Sequence, residues 1–182
     1  MDSNRDPALL THSARQSHIA LVANVERHHG IQVRSAHMAR NPWTQARLWR
    51  QSRTRERVEQ AYRQLEHLGM VWLRAVLEDV GPQRTGPWLT NALPGQGWHQ
   101  WGEAIDYFIL NPDGSANWDG NHRGYLVLGE EAARLGLTAG YFWKHRDPGH
   151  IQMRRERVRD VYTPSQIDQL MKERWKFFSG RS

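Results

Sequence analysis

Apolar positions recur at helical spacing over the first part of the chain. In residues 7–29 they fall at Leu10, Ala14, Leu21 and Val25, with Pro7 suited to a first turn and Gly30 to a stop. That pattern predicts a helix, and the partial alternation of residues 31–38 predicts a short strand after it. Asn41 followed by Pro42 is an N-cap and first-position pair, so a second helix is expected through residues 43–51. A longer helix is read over 55–81, where Val58, Ala61, Tyr62, Leu65, Leu68, Trp72, Ala75 and Val76 make one stripe that ends at Gly81 and Pro82. The stripe reads as core packing. Residues 81–102 are rich in Gly and Pro and poor in charge, which predicts a long loop, and loops of that length inside compact domains tend to carry function. Residues 104–110 read as a strand and 111–121 as a turn joining two strands. Residues 125–137 read as a strand fragment running into a helix, 140–150 as a second loop, and 150–154 as a short strand. Thr163 and Pro164 open a last helix over 163–178. The sum is a single small α+β domain over residues 1–182, whose two irregular loops each contain histidine.

Composition narrows the setting. A 182-residue chain with 38% apolar residues can bury about 70% of its unfolded surface, so a wholly disordered chain is excluded. No stretch approaches 18 uninterrupted apolar residues, so neither a membrane-spanning helix nor a membrane anchor is expected. The first residues carry acids where a signal peptide needs basic charge, which points to synthesis in the cytoplasm without such a signal. With no Cys, any metal must be held by His and carboxylates. The net charge of +6 favours a polyanionic partner, such as nucleic acid, anionic lipid or a bacterial envelope. Only residues 153–159 form a dense basic cluster and no nucleic-acid signature is present, so no nucleic-acid partner is expected.

The candidate chemistry lies in the two loops. His99 and Asp106 are seven residues apart, about 10 Å along a helix or about 23 Å along a strand. Two ligands of one zinc need donor atoms within about 4 Å, so the chain must reverse between them, and Gly102 is the flexible position for that bend. Asp106 also interrupts an apolar strand, where a carboxylate is costly to bury unless it is paired or bound to a cation, although period-2 alternation would equally turn it to solvent. In the second loop Asp147 stands three residues before His150. His150 would supply a third ligand and leave a position for water, as in catalytic zinc sites. A carboxylate beside the metal suits proton transfer, though Asp before Pro is also a common turn. His145 and the His28–His29 pair are alternative ligands. The pair ends a helix, where cations suit the dipole, so it reads as structural.

The pattern HxxGxAxD at His99, Gly102, Ala104 and Asp106, followed by DxxH at Asp147 and His150, resembles the zinc D,D- and L,D-peptidases of bacterial cell walls. These are the VanY-like D-Ala-D-Ala carboxypeptidases and dipeptidases and the phage endolysins that are L-alanyl-D-glutamate peptidases. Residues 84–106 resemble the family's Arg-Thr, Thr-Asn-Ala and first zinc-His segment, and residues 40–54 its Arg-x4-Gln-Ala-x-Leu-aromatic stretch. The resemblance covers roughly residues 31–155. It implies the hedgehog/D-Ala-D-Ala-peptidase-like zinc peptidase domain, a small antiparallel sheet flanked by helices. It also implies Zn²⁺ on His99, Asp106 and His150, Asp147 as general acid/base, and Arg40 as the group that meets an oxyanion or a substrate carboxylate. Gln45 falls at a substrate-side position. Trp98, Trp101 and Trp143, with Trp88, are loop aromatics suited to a sugar-bearing wall, with core packing favoured for at least half of them.

The sequence also departs from the family. Gly97 replaces the usual Ser, Gln100 a common Asn, and the 55–81 helix is an insertion expected to pack on the side of the domain. The expected activity is hydrolysis of the peptidoglycan stem peptide at L-Ala-D-Glu by a monomeric, bacteriolytic, phage-type enzyme that reaches the wall after release. The alternatives are a D-Ala-D-Ala carboxypeptidase or dipeptidase, and a non-catalytic wall- or nucleic-acid-binding protein. Residues 113–121 lack EF-hand spacing and read as a hairpin turn rather than a calcium loop.

Overall fold

A computed structural model describes residues 6–81 and 85–178; the helix stop at Pro82, the Arg84 of the resemblance and residues 1–5 lie outside the described residues. The chain forms two compact units, one of Met1–Ala39 with Gly102–Arg155 and one of Arg40–Trp101 with Glu156–Ser182.

The first unit is built on an antiparallel sheet. After a single turn of 3-10 helix at Pro7–Leu9, α1 runs His12–His29. The helix expected from residue 7 therefore starts later, because Thr11 takes the cap position and its hydroxyl accepts from the Ala14 amide. Gly30 ends it in the left-handed conformation, φ 66°. The strands are β1 (Val33–His37), β2 (Ala104–Leu110), β3 (Ala116–Asn117), β4 (Thr138–Ala139) and β5 (His150–Gln152). Their order is β1-β2-β5-β4, with β3 pairing the end of β2 through the expected hairpin. Alternation along β2 buries Ile105, Tyr107 and Ile109, which join Leu21 and Val25 of α1 and Ile151 of β5 in one core.

The second helix of this unit, numbered α6 (Arg123–Arg134) in chain order, contains the segment expected to open as a strand. Tyr125, Leu128 and Ala132 sit at helical spacing and are buried in the same core, and the His122 ring accepts from the Gly124 amide as a cap. Helical period and cap together override the strand propensity of Tyr-Leu-Val.

The second unit is helical: α2 (Pro42–Arg50), α3 (Arg55–His67), α4 (Val71–Asp79), α5 (Trp98–Trp101), α7 (Val158–Val161) and α8 (Pro164–Trp175). Asn41 and Thr163 cap α2 and α8 as expected. The single helix expected over 55–81 is two. Gly69 at φ 71° breaks it, and the phase of the stripe resets. Val58, Ala61 and Leu65 are buried in α3, but in α4 the buried positions are Leu73, Val76 and Leu77, while Ala75 is exposed. The N-terminus of α4 is capped from α8, where Asp168 accepts from the Trp72 and Leu73 amides at 3.0 and 2.8 Å. Among the described residues no helix is long and apolar enough to cross a membrane.

Candidate metal centre

Alternation that sends Ile105 and Tyr107 into the core turns Asp106 to the opposite face of β2. Register then selects its neighbour, because Asp106 pairs directly with His150 across β2 and β5. The two side chains meet at 3.0 Å, His150 Nδ1 to Asp106 Oδ1. Two glycines allow the chain to come this close. Gly149 lies against the Tyr107 carbonyl, 2.2 Å from where a Cβ would stand. Gly140 lies against the Asp147 carbonyl, at 2.5 Å on the same measure. Asp147 itself is exposed on the turn before β5, its amide donating to the Gly140 carbonyl and its carbonyl accepting from the His150 amide.

His150 is buried, and burial works to lower its pKa. The hydrogen bond and charge of Asp106, the charge of Asp147 and a hydrogen bond to Gln152 outweigh that and hold it above the ordinary histidine value. The pocket thus stabilises positive charge at this ring. Two contacts here were not read from the sequence. His37 reaches Asp106 from the other side at 3.8 Å (Nδ1 to Oδ2), brought opposite it by an irregularity in β1 between Ser35 and His37. Gln152 accepts from His150 Nε2 at 3.0 Å, a contact that the i, i+2 period of a strand makes available once β5 is known.

In the second unit, α5 carries His99, so the end of the expected loop is a short helix. Gly102 follows at φ 71°, the left-handed turn expected between His99 and Asp106. The His99 carbonyl accepts from the Arg40 amide at 3.1 Å. Arg40 Nη1 donates to Gln45 Oε1, which also accepts from Gln100 Nε2, both at 3.1 Å. Gln45 Nε2 donates to the Ala92 carbonyl and the Thr90 hydroxyl. All four hydrogen-bonding positions of this 1%-exposed amide are used internally, one of them to hold Arg40, so the structure buries Gln45 where the resemblance placed it on the substrate side.

Two of the expected wall-facing tryptophans are also corrected. Trp98 and Trp101 are 4% and 8% exposed, and their indole N–H groups donate to the Glu156 and Gly95 carbonyls. Trp101 stacks flat on Tyr162 at 4.4 Å. Trp143 is 38% exposed and lies against the His150 ring at 5.1 Å, while Trp88 is exposed and holds Arg53 over its face. His28 and His29 are engaged by buried Glu131 of α6, His29 Nε2 at 3.0 Å. His145 is exposed on the second loop.

In the first unit Asp106 and His150 each offer one ligand atom, 3.0 Å apart, and in the second unit α5 carries the buried His99. An imidazole and a carboxylate at this spacing are donors suited to zinc, which takes N and O ligands at about 2 Å. Asp106 and His150 could hold the ion.

The local sequence match is to a peptidoglycan endopeptidase. The chain is 36% identical over 81 residues to the peptidoglycan L-alanyl-D-glutamate endopeptidase CwlK of Bacillus subtilis (strain 168), covering 40% of this chain and 48% of that protein. It therefore spans about half the length of this curated relative. Two solved structures superpose loosely over most of the chain. One is the L-Ala D-Glu endopeptidase ChiX of Serratia marcescens (14% identity, TM-score 0.44, 85% of this chain and 86% of that one). The other is a zinc-bound point mutant of the vancomycin-resistance D,D-pentapeptidase VanY from a VanB-type cassette (16%, 0.45, 89% and 83%). No family model matches.

Proposed function

We propose that the chain is a zinc-dependent peptidoglycan peptidase that cuts the stem peptide between L-Ala and D-Glu. The observation that carries this is the Asp106–His150 donor pair set by strand register, and the local likeness to CwlK supports the substrate class. Asp106 and His150, with His99 as the third proposed ligand, would hold zinc, which would supply Lewis-acid polarisation of a carbonyl and a water whose pKa falls towards 7.

The remaining chemistry belongs to the chain. Asp147, whose charge already acts on His150, accepts the proton of the attacking water and returns it to the departing amine. Arg40, oriented by Gln45, donates hydrogen bonds to the developing oxyanion or to a substrate carboxylate. Trp143 offers an accessible aromatic face beside His150, and the basic net charge suits a polyanionic wall. The biological setting proposed is bacteriolysis of the phage-endolysin kind.

The test is digestion of purified peptidoglycan with and without a chelator, with the fragments read by mass spectrometry. New L-Ala carboxyl termini and D-Glu amines, lost on chelation and restored by Zn²⁺, are expected. Release of terminal D-Ala alone would move the activity to the carboxypeptidases. Zinc-loaded, folded protein that leaves every peptide bond intact on several wall types would refute wall hydrolysis.

A further inference from the structure

The hydrogen bonds around His150 determine which of its ring nitrogens can face a metal. Gln152 Nε2 donates to the Arg154 carbonyl at 2.6 Å. A carbonyl only accepts, so the amide orientation is fixed and Gln152 Oε1 is the atom 3.0 Å from His150 Nε2. An amide oxygen also only accepts, so Nε2 carries the ring hydrogen. In the neutral imidazole Nδ1 then holds the lone pair, and it points at the carboxylate of Asp106, another acceptor, 3.0 Å away. Two acceptors held this close require a cation shared between them, either a proton or a metal ion.

The residue that sets this arrangement is itself held. Gln152 is buried, and its side chain lies on the same face of β5 as that of His150, two residues away. Arg154, whose carbonyl fixes the amide, is clamped to Glu103 by two hydrogen bonds, Nε to Oε2 at 2.6 Å and Nη2 to Oε1 at 3.2 Å. The Met153 amide donates to the Glu103 carbonyl at 2.9 Å, tying the same segment to the residue before β2. The relay runs from Glu103 through Arg154 and Gln152 to the imidazole.

We propose that Gln152 is a positioning residue that commits His150 to metal binding through Nδ1. The inference rests on the zinc reading above. An outer partner that fixes the tautomer of a ligating histidine typically contributes 10–100-fold to metal affinity.

The experiment uses the full chain, with zinc affinity measured by competition with a chromophoric chelator and ¹⁵N-histidine NMR of the zinc-loaded protein. In the wild type, His150 should show a protonated Nε2 and a metal-shifted Nδ1. Gln152→Leu should lose about 10–100-fold in zinc affinity and its slowly exchanging Nε2–H signal. Gln152→Glu, which still accepts from Nε2, should retain both to within a few fold. Zinc on Nε2 in the wild type overturns the proposal whether or not the leucine variant folds. So does a folded Gln152→Leu protein with unchanged affinity and ring signals. A purely structural role would lower stability without moving the ring signature. Failure of the wild type to bind zinc is a separate result that refutes the zinc reading and this inference with it.

Discussion

Gly149→Ala tests whether the Asp106–His150 pairing depends on close backbone approach. The added Cβ would stand 2.2 Å from the Tyr107 carbonyl oxygen, and 3.3 and 3.4 Å from that residue's C and N. The clash is with backbone, so no rotamer change relieves it; β5 must move away from β2 by about 1 Å to restore an ordinary contact of about 3.3 Å or more. That movement stretches the Tyr107 N–H to Gly149 carbonyl hydrogen bond, now 2.9 Å, and drags on Ile151 in the core. Overpacking of this kind costs about 1–3 kcal/mol and a weakened strand hydrogen bond about 1 kcal/mol more, so a loss of about 2–4 kcal/mol is expected.

The assay is urea unfolding together with amide exchange at Tyr107 and zinc competition. His150 is the next residue, so zinc affinity should fall at least tenfold as Nδ1 is displaced from Asp106. Gly30→Ala is the control. A Cβ there meets nothing within 4 Å, and its cost is the left-handed penalty of about 1–2 kcal/mol alone, with zinc binding unchanged. Should Gly149→Ala lose less than about 0.5 kcal/mol and bind zinc as before, the close approach is not what holds the pair in register.

Three further outcomes are expected. Asp147→Asn should reduce peptide hydrolysis by about 10²–10⁴-fold while zinc affinity stays within a few fold; retained turnover in a competition-verified zinc-loaded protein would remove Asp147 from the proton-transfer role. The hydrogen bond from His29, working against burial and helped by Arg134, holds the Glu131 carboxyl below its ordinary value. A depressed carboxyl contributes stability in full above the unfolded value of about 4.3 and loses it as pH falls through the folded one, so Glu131→Gln should flatten this acid limb in urea titrations between about pH 2 and pH 6. An unchanged limb would show that Glu131 does not contribute to it. Asp168→Ala should cost about 1–2 kcal/mol by uncapping α4, with Asp168→Asn recovering part of it; equal unfolding free energies for Asp168→Ala and wild type would refute the cap.

Much of this fold is local and was legible as such. Asn41 and Thr163 cap helices because Thr and Asn before an apolar period do so wherever the helix lies. Ile105, Tyr107 and Ile109 alternate into the core because strand period alone decides it. The misreadings have the same physical origin as one another: a rival local signal was present and weaker. Gly69 carries no side chain to interrupt an apolar stripe, yet one left-handed residue redirects the helix and shifts which face of α4 is buried. Tyr-Leu-Val has strand propensity, but the cap at His122 and the spacing to Ala132 recruit it into α6.

The candidate site divides along the same line. His99, Gly102 and Asp106 are close in sequence, so a turn at Gly102 could be foreseen from chain geometry. The pairing of Asp106 with His150 could not, because it is a matter of strand register across 44 residues, and a slip of one would carry His150 to the other face. Burial was equally hidden. Trp98 and Trp101 occupy Gly-rich sequence that suggested an open loop, but an indole N–H with a carbonyl partner can be buried, and each found one. Gln45 shows the limit most clearly. Its match to the family's Arg-x4-Gln stretch suggested a substrate-side position, whereas its four hydrogen bonds are all spent internally, on Arg40, Gln100, Thr90 and Ala92. Spacing therefore identifies the residues of such a site, and the hydrogen-bond inventory decides which of them face outward. By that inventory Gln152, two residues beyond His150 on the same strand face, sets the ring on which the metal reading depends.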